Sequence, residues 1–549
     1  MINQNETKEI MKRNHTSPHR FTNRTCMLAF GAFVLLAGTS CTKKFESFNT
    51  DPTGIPNKDL QIPTLFIPLE QEIMYMADDG YQVGQNLNAD DYGGYAMPDQ
   101  TFGQALDNAN YVFINNWNVE AFNSIYTNLL GPIKNNLGPS GVSVSNPDYW
   151  AIALIIEVEA IDRITDKFGP VPYSKVGTSL VSVDYDSQQS IYQQMFLQLD
   201  TAAANLNAFI TANPGATPLA SYDAIFGGDY TKWLKFANSL RLRLAMHLVK
   251  IDPTTAQAQG EKALSAPGGL MAAASDVAAI LASAANGNDY NQITLSYGDN
   301  SMNATMGVYM NGYNDPRLPV YFLPDTDPGH TSQYIGIRIG CVIPPKPFYS
   351  GYSKYNYNTT FNISAPEVIM TAAEVWFLKA EASLRGWANS GDAGTDYNMG
   401  IQTSFDQYGV SGAAAAYMAD ATSQPTAYVD YLNAADNAPA PSTITIKWNP
   451  AASNETNLER IITQKWLAMF PEGQEAWTEF RRTGYPQLFP VVTNSSGGTI
   501  DTKIQVRRLA YPLSEATLNP TAEAAGIVLL GGPDNGGTRL WWDVNKANF

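Results

Sequence analysis

Residues 226–245 read Phe-Gly-Gly-Asp-Tyr-Thr-Lys-Trp-Leu-Lys-Phe-Ala-Asn-Ser-Leu-Arg-Leu-Arg-Leu-Ala, and this stretch indicates the fold class. From Trp233 through Phe236, Leu240 and Leu244, apolar side chains recur at helical spacing. Such a stripe is typical of a helix that buries one face against a neighbour. The pattern therefore predicts a helix over residues 230–250.

Other stretches of the chain also predict helices, and turn-forming or capping residues mark several of their ends. The predicted helices are 149–168, which stops at Gly169-Pro170; 188–210, which follows the candidate N-cap Asp186-Ser187; 365–387; and 455–481, a pair broken at Pro471-Glu472-Gly473.

Three long turn-rich stretches, 78–118, 286–362 and 388–450, separate these helices. Loops of that length in a folded protein commonly carry function. Strand patterns are few and short, for example at 444–447 and 504–506. The predicted fold is mainly α, with helix pairs as a scaffold, long loop-rich excursions and minor β structure.

The composition narrows the classes of ligand. The chain of 549 residues has 34 Lys and Arg against 51 Asp and Glu, a net charge of −17, which opposes binding to nucleic-acid phosphates. Charged residues make up 15% of the chain, below the usual quarter, and aromatic residues make up 11%. A surface of this kind suits uncharged polar ligands.

Histidine and cysteine are scarce, which argues against much catalytic and metal chemistry. Beyond the N-terminal leader the chain has only His247, His330 and Cys341. These residues cannot form a disulfide framework or a Cys/His metal cluster. We therefore expect no cofactor, no metal and no enzymatic activity.

The N-terminus resembles a bacterial lipoprotein signal. Basic residues between 8 and 24 precede the apolar run 26–37, which is too short to span a bilayer, and Gly38-Thr39-Ser40 lead directly to Cys41. The predicted organisation is a signal peptide over 1–40, a linker over 41–60 with lipid attached to Cys41, and a single ligand-binding domain over 61–549. An ordinary signal peptide with an incidental cysteine is the alternative.

Several motifs together resemble the SusD/RagB family of outer-membrane lipoproteins. They run in family order from Cys41 to the last residues of the chain. Besides 226–245 they are Lys167–Tyr173, Asp315–Leu318, Ile369–Ala382, Gln464–Trp466, Gly473–Trp477, Arg481–Pro486, Arg507–Pro512 and Trp541–Asp543.

The resemblance implies a scaffold of about four tetratricopeptide-like helix pairs and a loop-rich remainder that carries the ligand site. It also implies a lipid-anchored protein at the cell surface of the outer membrane, acting as the lid of a SusC-type TonB-dependent transporter. Family members bound for the surface often carry acidic residues after the lipidated cysteine. In this chain, Cys41 is followed by Thr42-Lys43-Lys44 instead.

Two glutamates, Glu374 and Glu381, lie seven residues apart on one face of a predicted helix, about 10 Å apart along its axis. An inverting glycosidase places its carboxyl groups at comparable distances. Both glutamates lie in an apolar stretch, however, where a buried charge needs a partner. We interpret them as ion-pair partners of Arg241 or Arg243 rather than as a catalytic dyad.

The family's ligand residues fall outside its recognisable motifs, so none is carried over, and the candidate ligand residues are chosen from loop composition alone. Segments 78–102 and 348–361 mix tyrosines with Asn, Gln and Asp, which suits the flat faces and hydroxyls of sugars. The spacing of Asp78, Asp79, Asp90, Asp91 and Asp99 fits no calcium loop. The predicted ligand-binding residues are Tyr81, Asn88, Tyr92, Tyr95, Tyr297, Tyr349, Tyr352 and Tyr355.

The leading hypothesis is capture of oligosaccharides for delivery to the transporter. Capture of oligopeptides by the same kind of lid is the first alternative. A lipoprotein glycosidase and a purely structural tetratricopeptide scaffold are the others.

Overall fold

A computed structural model describes residues 61–76, 80–102, 106–138, 141–179 and 182–549. They belong to the unit Gln61–Phe549, one of the two into which the chain divides. The predicted signal peptide, the lipid-attachment residue Cys41, the linker 41–60 and the pair Asp78-Asp79 lie outside the described residues.

Helices dominate the described part of the chain, and shorter helical turns connect them. Among the connections are the π-helical segments Gln82–Asp90 and Gln292–Tyr297. The main helices are α1 Phe66–Glu72, α2 Asn115–Ser124, α3 Pro147–Phe168, α4 Gln188–Ala212, α5 Tyr230–His247, α6 Pro253–Leu264, α7 Ala304–Gly312, α8 Ala372–Leu384, α9 Ala393–Gln407, α10 Asn454–Ala468, α11 Gly473–Thr483 and α12 Pro520–Leu530.

Helix pairs form the scaffold. Helix α3 packs against α4, α5 against α6 and α8 against α9, and each pair is consecutive in the chain. The fourth consecutive pair is spread wider, because α10 packs on α8 and α9 whereas α11 packs on α5 and on the segment Gln82–Asp90. The predicted class, a mainly α tetratricopeptide-like scaffold with long excursions, is confirmed.

Capping residues fix the ends of the predicted helices. The Ser187 Oγ accepts a hydrogen bond from the Ser190 N–H at 3.2 Å at the start of α4. Gly169 follows α3 with φ 92°, and Gly484 follows α11 in the left-handed conformation, where glycine carries no Cβ penalty. The arginines Arg481 and Arg482 lie in the last turn of α11, where they suit the helix dipole.

The structure differs from the sequence prediction at several places, including helix α7, which lies inside the stretch 286–362. The first part of 365–387 is a strand, Glu367–Met370, and α8 begins only after the Thr371 cap. Helix α9 lies inside the stretch 388–450, which the sequence assigned to an excursion. Residues 444–447 and 504–506 form no strand. Short apolar runs do not by themselves decide between strand and irregular backbone.

Within the described residues, the strands form three small antiparallel pairs. Strands β1 Ala96–Pro98 and β5 Asn300–Met302 pair with Met97 opposite Ser301, and the remaining pairs are β2 Val171–Pro172 with β3 Tyr185–Asp186 and β4 Ala278–Ile280 with β6 Glu367–Met370.

A buried group of charges, the scaffold charge cluster, joins α5, α8, α10 and α11 through Arg243, His247, Glu374, Lys465 and Glu475. Arg243 donates two hydrogen bonds to Glu374, both at 2.7 Å. Lys465 Nζ lies 2.9 Å from Glu475. The predicted pairing of Glu374 with an arginine is therefore correct, and Arg243 is the partner.

The predicted partner of Glu381 is wrong. Arg482 donates two hydrogen bonds to Glu381, both at 2.7 Å, and Arg385 also binds this carboxylate. Arg241 instead donates to Asp200 at 2.5 Å. Arg482 comes from α11, which sequence spacing alone could not bring next to α8.

Candidate ligand-binding site

The two loop segments that the sequence singled out, 78–102 and 348–361, lie close together. Pairing of β1 with β5 places Asp99 and Gln100 beside Asp299, and the Asp99 N–H donates to the Asp299 carbonyl at 3.3 Å. Lys354, from the second segment, donates to the Asp99 carboxylate and to Ser301 Oγ, the latter at 2.9 Å. Residues far apart in the chain therefore share one polar surface.

At this surface Gln82, Gln100, Tyr297, Asp299 and Lys346 form a group that we call the Asp299 cluster. The Asp299 carboxylate accepts hydrogen bonds from Gln82 Nε2 at 3.3 Å, from Lys346 Nζ at 2.8 Å and from Gln100 Nε2. Lys346 also donates to the Tyr297 carbonyl at 3.0 Å. The cluster thus joins two planar amides and one ion pair to the backbone of Tyr297, whose side chain is half-buried.

Exposure distinguishes this cluster from the interior. The side chain of Lys346 is 34% exposed, and the carboxylate it binds is 9% exposed. The ion pair Lys354–Asp99 lies deeper; burial raises the pKa of Asp99, and Lys354 partly offsets that rise. Burial likewise lowers the pKa of Lys354. The Asp299 cluster forms the outer layer of this polar region.

Apolar ring surface is present in the same segments. Phe348, two residues beyond Lys346, is 38% exposed and meets the Tyr349 ring edge-on at 4.9 Å. Phe102, two residues beyond Gln100, is half-buried and packs edge-on against Trp117 at 5.4 Å. Rings beside amides and a carboxylate suit a ligand with C–H faces and hydroxyl groups.

Comparison with known protein families shows to which family this chain belongs. A family model described as "Susd and RagB outer membrane lipoprotein" matches residues 47–543. The chain belongs to the SusD-like family. Within the described residues of this SusD-like protein, no helix has the length and apolar character needed to cross a membrane.

Solved structures of other SusD homologues have the same fold. A chitin-binding SusD homologue from Flavobacterium johnsoniae is 41% identical, with a TM-score of 0.84 over 89% of this chain and 100% of the other. A SusD homologue from Bacteroides vulgatus is 36% identical, with a TM-score of 0.83 over 89% and 98% of the two chains. One from Bacteroides thetaiotaomicron is 32% identical, with a TM-score of 0.80 over 89% and 100%. No curated protein matches the chain.

The structure places the eight predicted ligand residues of this SusD-like protein in two environments. Tyr297 is half-buried and belongs to the Asp299 cluster, where Gln292 Nε2 donates to its hydroxyl at 2.5 Å. The other seven are covered by protein, and their contact with ligand stays a prediction. They are Tyr81, Asn88, Tyr92, Tyr95, Tyr349, Tyr352 and Tyr355.

The buried tyrosines of the first segment support the interior. Tyr81 donates to Asp90 at 3.0 Å, and burial raises the pKa of that carboxyl to about 7. Tyr95 donates to the Trp466 carbonyl at 2.5 Å and stacks on its ring at 5.5 Å. Tyr92 packs against Trp477 at 5.2 Å. Both tryptophans are core residues.

The buried tyrosines of the second segment are equally engaged. Tyr352 donates to Asp430 at 2.6 Å, and Tyr349 reaches the same carboxylate at 3.4 Å. Tyr355 stacks on Tyr290 at 5.5 Å, and its ring lies 5.1 Å from that of Phe470. In this conformation their rings present no face to solvent.

Among the described residues, two buried groups have the spacing of metal ligands, and both include His247: one with Asp162 and Asp166, the other with Glu475 and Glu479. Neighbouring carboxylates raise the pKa of His247 to about 9 against the effect of burial, so the ring is protonated at neutral pH. A protonated imidazole is not a ligand, and Lys465 already binds Glu475. His247 therefore acts as a cation in the scaffold charge cluster.

Sequence reasoning missed Gln82, Gln100, Asp299, Lys346 and Phe348. Gln82 and Gln100 lie within the segment 78–102 that was selected, but tyrosine content directed the choice of residues. Asp299 follows Tyr297 by two residues, and Lys346 precedes the second segment by two. The signal that could have found them is the presence of long amides and charges at the margins of the tyrosine-rich stretches.

Proposed function

We propose that this SusD-like protein captures oligosaccharides at the Asp299 cluster and delivers them to a SusC-type TonB-dependent outer-membrane transporter. The observation that supports capture there is the convergence of the Gln82 and Gln100 amides and of the Tyr297 backbone carbonyl on the ion pair of Asp299 with Lys346. The lipid anchor at Cys41 and placement at the cell surface are part of the same proposal.

The chemistry of the cluster suits a neutral sugar. Amide and carboxylate groups exchange hydrogen bonds with hydroxyls, and half-exposed rings cover the C–H face of a pyranose. The cluster contains one cation and one anion, so it attracts neither charge strongly. Phe348 offers the most exposed ring in the segment.

The first ligand class to test is oligomers of N-acetylglucosamine. A chitin-binding homologue, aligned over the full length of that homologue, is 41% identical to this chain. This similarity makes N-acetylglucosamine oligomers a reasonable starting point. The acetamide groups of these oligomers add a planar hydrogen-bond donor and acceptor to each sugar. The side-chain amides of Gln82 and Gln100 can hydrogen-bond with both.

A glycan-array screen of the protein with Cys41→Ser, followed by calorimetry on the hits, tests the proposal. We expect binding to one class of polysaccharide, and loss of at least about tenfold in affinity in Tyr297→Ala, equal to ~1.4 kcal/mol. The matched control is Tyr222→Ala, a half-buried tyrosine outside the cluster, which should bind as the wild type does.

Two outcomes contradict the proposal. Glycan binding that is unchanged in Tyr297→Ala and in Gln82→Ala would place the site elsewhere. Folded protein that binds no glycan but does bind oligopeptides would favour the peptide-capturing alternative.

A further inference from the structure

A basic pocket lies at the end of α11, in a protein whose net charge is −17. Its volume is about 520 Å³. Seven of its lining residues are cationic, and Glu455 is the one carboxylate among the residues that line it. The cationic residues are Lys250, Arg481, Arg482, Lys503, Arg507, Arg539 and Lys546.

The carboxylates around this pocket do not balance its cations. Arg507 and Arg539 both bind Asp543, at 2.6 Å and 2.7 Å, so two guanidinium groups share one carboxylate. Arg482 is the exception, because it binds Glu381 and Glu479.

Four cations lack a carboxylate partner altogether among the described residues. Arg481 donates to the carbonyls of Asp166 and Arg507 at 2.5 Å and 2.9 Å. Lys250 Nζ donates to the Arg482 carbonyl at 2.8 Å. Lys546 Nζ donates to the Lys250 carbonyl at 3.4 Å, and Lys503 is exposed at the margin. These hydrogen bonds use neutral acceptors and leave the positive charge in place.

Burial, with a further contribution from neighbouring arginines, lowers the pKa of two of these cations. Burial, followed by the charges of Arg482, Arg539 and Arg507, lowers the pKa of Lys250 to about 8. Burial, against the opposing carboxylate of Asp166, and the charge of Arg507 lower the pKa of Arg481 to about 9. The one lining carboxylate is also occupied, because Glu455 accepts from Tyr485 and Asn548, both at 2.8 Å.

We propose that the basic pocket binds a phosphate or sulfate group, either as the free ion or carried on a sugar. Cations held without counter-charges in a concave site attract an anion strongly, and guanidinium groups match tetrahedral oxyanions. The pocket shares no residue with the Asp299 cluster, so this inference does not depend on the proposed function.

Calorimetric titration of the protein at fixed ionic strength tests the proposal, with inorganic phosphate in one arm and glucosamine 6-phosphate in the other. We expect saturable binding, weakened at least about tenfold in the double variant Lys503→Gln, Lys546→Gln. Both lysines are exposed, so the variant keeps its fold. Lys447→Gln, an exposed lysine outside the pocket, is the control and should bind normally.

The two arms distinguish the source of the oxyanion. Tighter binding of the sugar phosphate indicates a group carried on a saccharide, whereas equal binding indicates the free ion. Absence of saturable binding in both arms up to roughly 10 mM, or unchanged affinity in the double variant, overturns the proposal.

Discussion

The scaffold charge cluster and the Asp299 cluster use the same kinds of side chain, but protein covers them to very different extents. In the scaffold, the side chains of Arg243 and Glu374 are 2% and 0% exposed. In the loops, those of Lys346 and Asp299 are 34% and 9% exposed. The first pair holds helices together, whereas the second leaves polar atoms accessible to solvent. Burial, rather than residue type, separates the two roles.

The largest effect should follow from removal of Arg243. Arg243→Met leaves Glu374 without its bidentate partner and leaves Glu159 and Glu475 less compensated, in a buried site. We expect the free energy of unfolding to fall by about 3–5 kcal/mol. Urea unfolding followed by circular dichroism measures the change.

Lys175→Met is the matched control, because Lys175 pairs with Asp184 at 2.7 Å on the exposed surface. It should leave the unfolding curve unchanged, since exposed ion pairs contribute little. An Arg243 variant as stable as this control would remove the distinction between the two clusters.

A smaller effect in the same cluster depends on pH. The pKa of His247 is raised from 6.5 to about 9, so His247 contributes stability that is complete below pH 6.5. Between these values the unfolded chain loses the proton and the folded chain keeps it, so the contribution falls and is lost as the pH rises through 9. The difference amounts to roughly 3 kcal/mol.

Urea unfolding of the wild type and of His247→Gln at several pH values between 6 and 9 measures this contribution. The difference in the free energy of unfolding between the two proteins should shrink as the pH rises. A difference that is constant over this range would show that His247 is not protonated in the folded protein.

The Asp299 cluster should behave in the opposite way, with an effect on binding and little on stability. Asp299→Asn removes the acceptor charge that orients Lys346, Gln82 and Gln100. We expect about tenfold weaker binding of an N-acetylglucosamine oligomer, ~1.4 kcal/mol, by calorimetry. Asp184→Asn changes an exposed carboxylate outside the cluster and serves as the control.

The smallest effect is expected at the scaffold surface, where polar groups are exposed but still structural. Ser187→Ala removes the cap of α4 and should cost about 1 kcal/mol in the free energy of unfolding. Ser364→Ala is the control, since Ser364 is exposed and its hydroxyl makes no hydrogen bond with a described residue. Equal stability of both variants would mean that the cap contributes nothing.

The scaffold helices were predicted well from the sequence, because residues close in the chain determine where a helix begins and ends. Helix α4 begins after Ser187 and α3 ends at Gly169, where capping and glycine conformation give clear signals. Helix α9 was missed because its apolar positions lie in a stretch otherwise rich in turn residues.

The candidate site was predicted only in part. The tyrosines in 78–102 and 348–361 have similar sequence contexts, yet most of them pack in the interior. Only tertiary contacts decide whether a given tyrosine is buried or exposed. Asp299 and Gln100 meet through β1 and β5, each of three residues, too short for a periodic pattern to reveal. The meeting of these strands is set by packing between regions about 200 residues apart.

Pairing of β4 with β6 has a consequence for how this protein can change over evolutionary time. The two strands bring Ile280 opposite Glu367, so the long excursion between them leaves and re-enters the scaffold at one place. That excursion includes Tyr297, Asp299 and Lys346 but contributes no residue to the scaffold charge cluster. Recombination or insertion within it can therefore change the Asp299 cluster, while the ion pairs of the scaffold charge cluster stay unchanged.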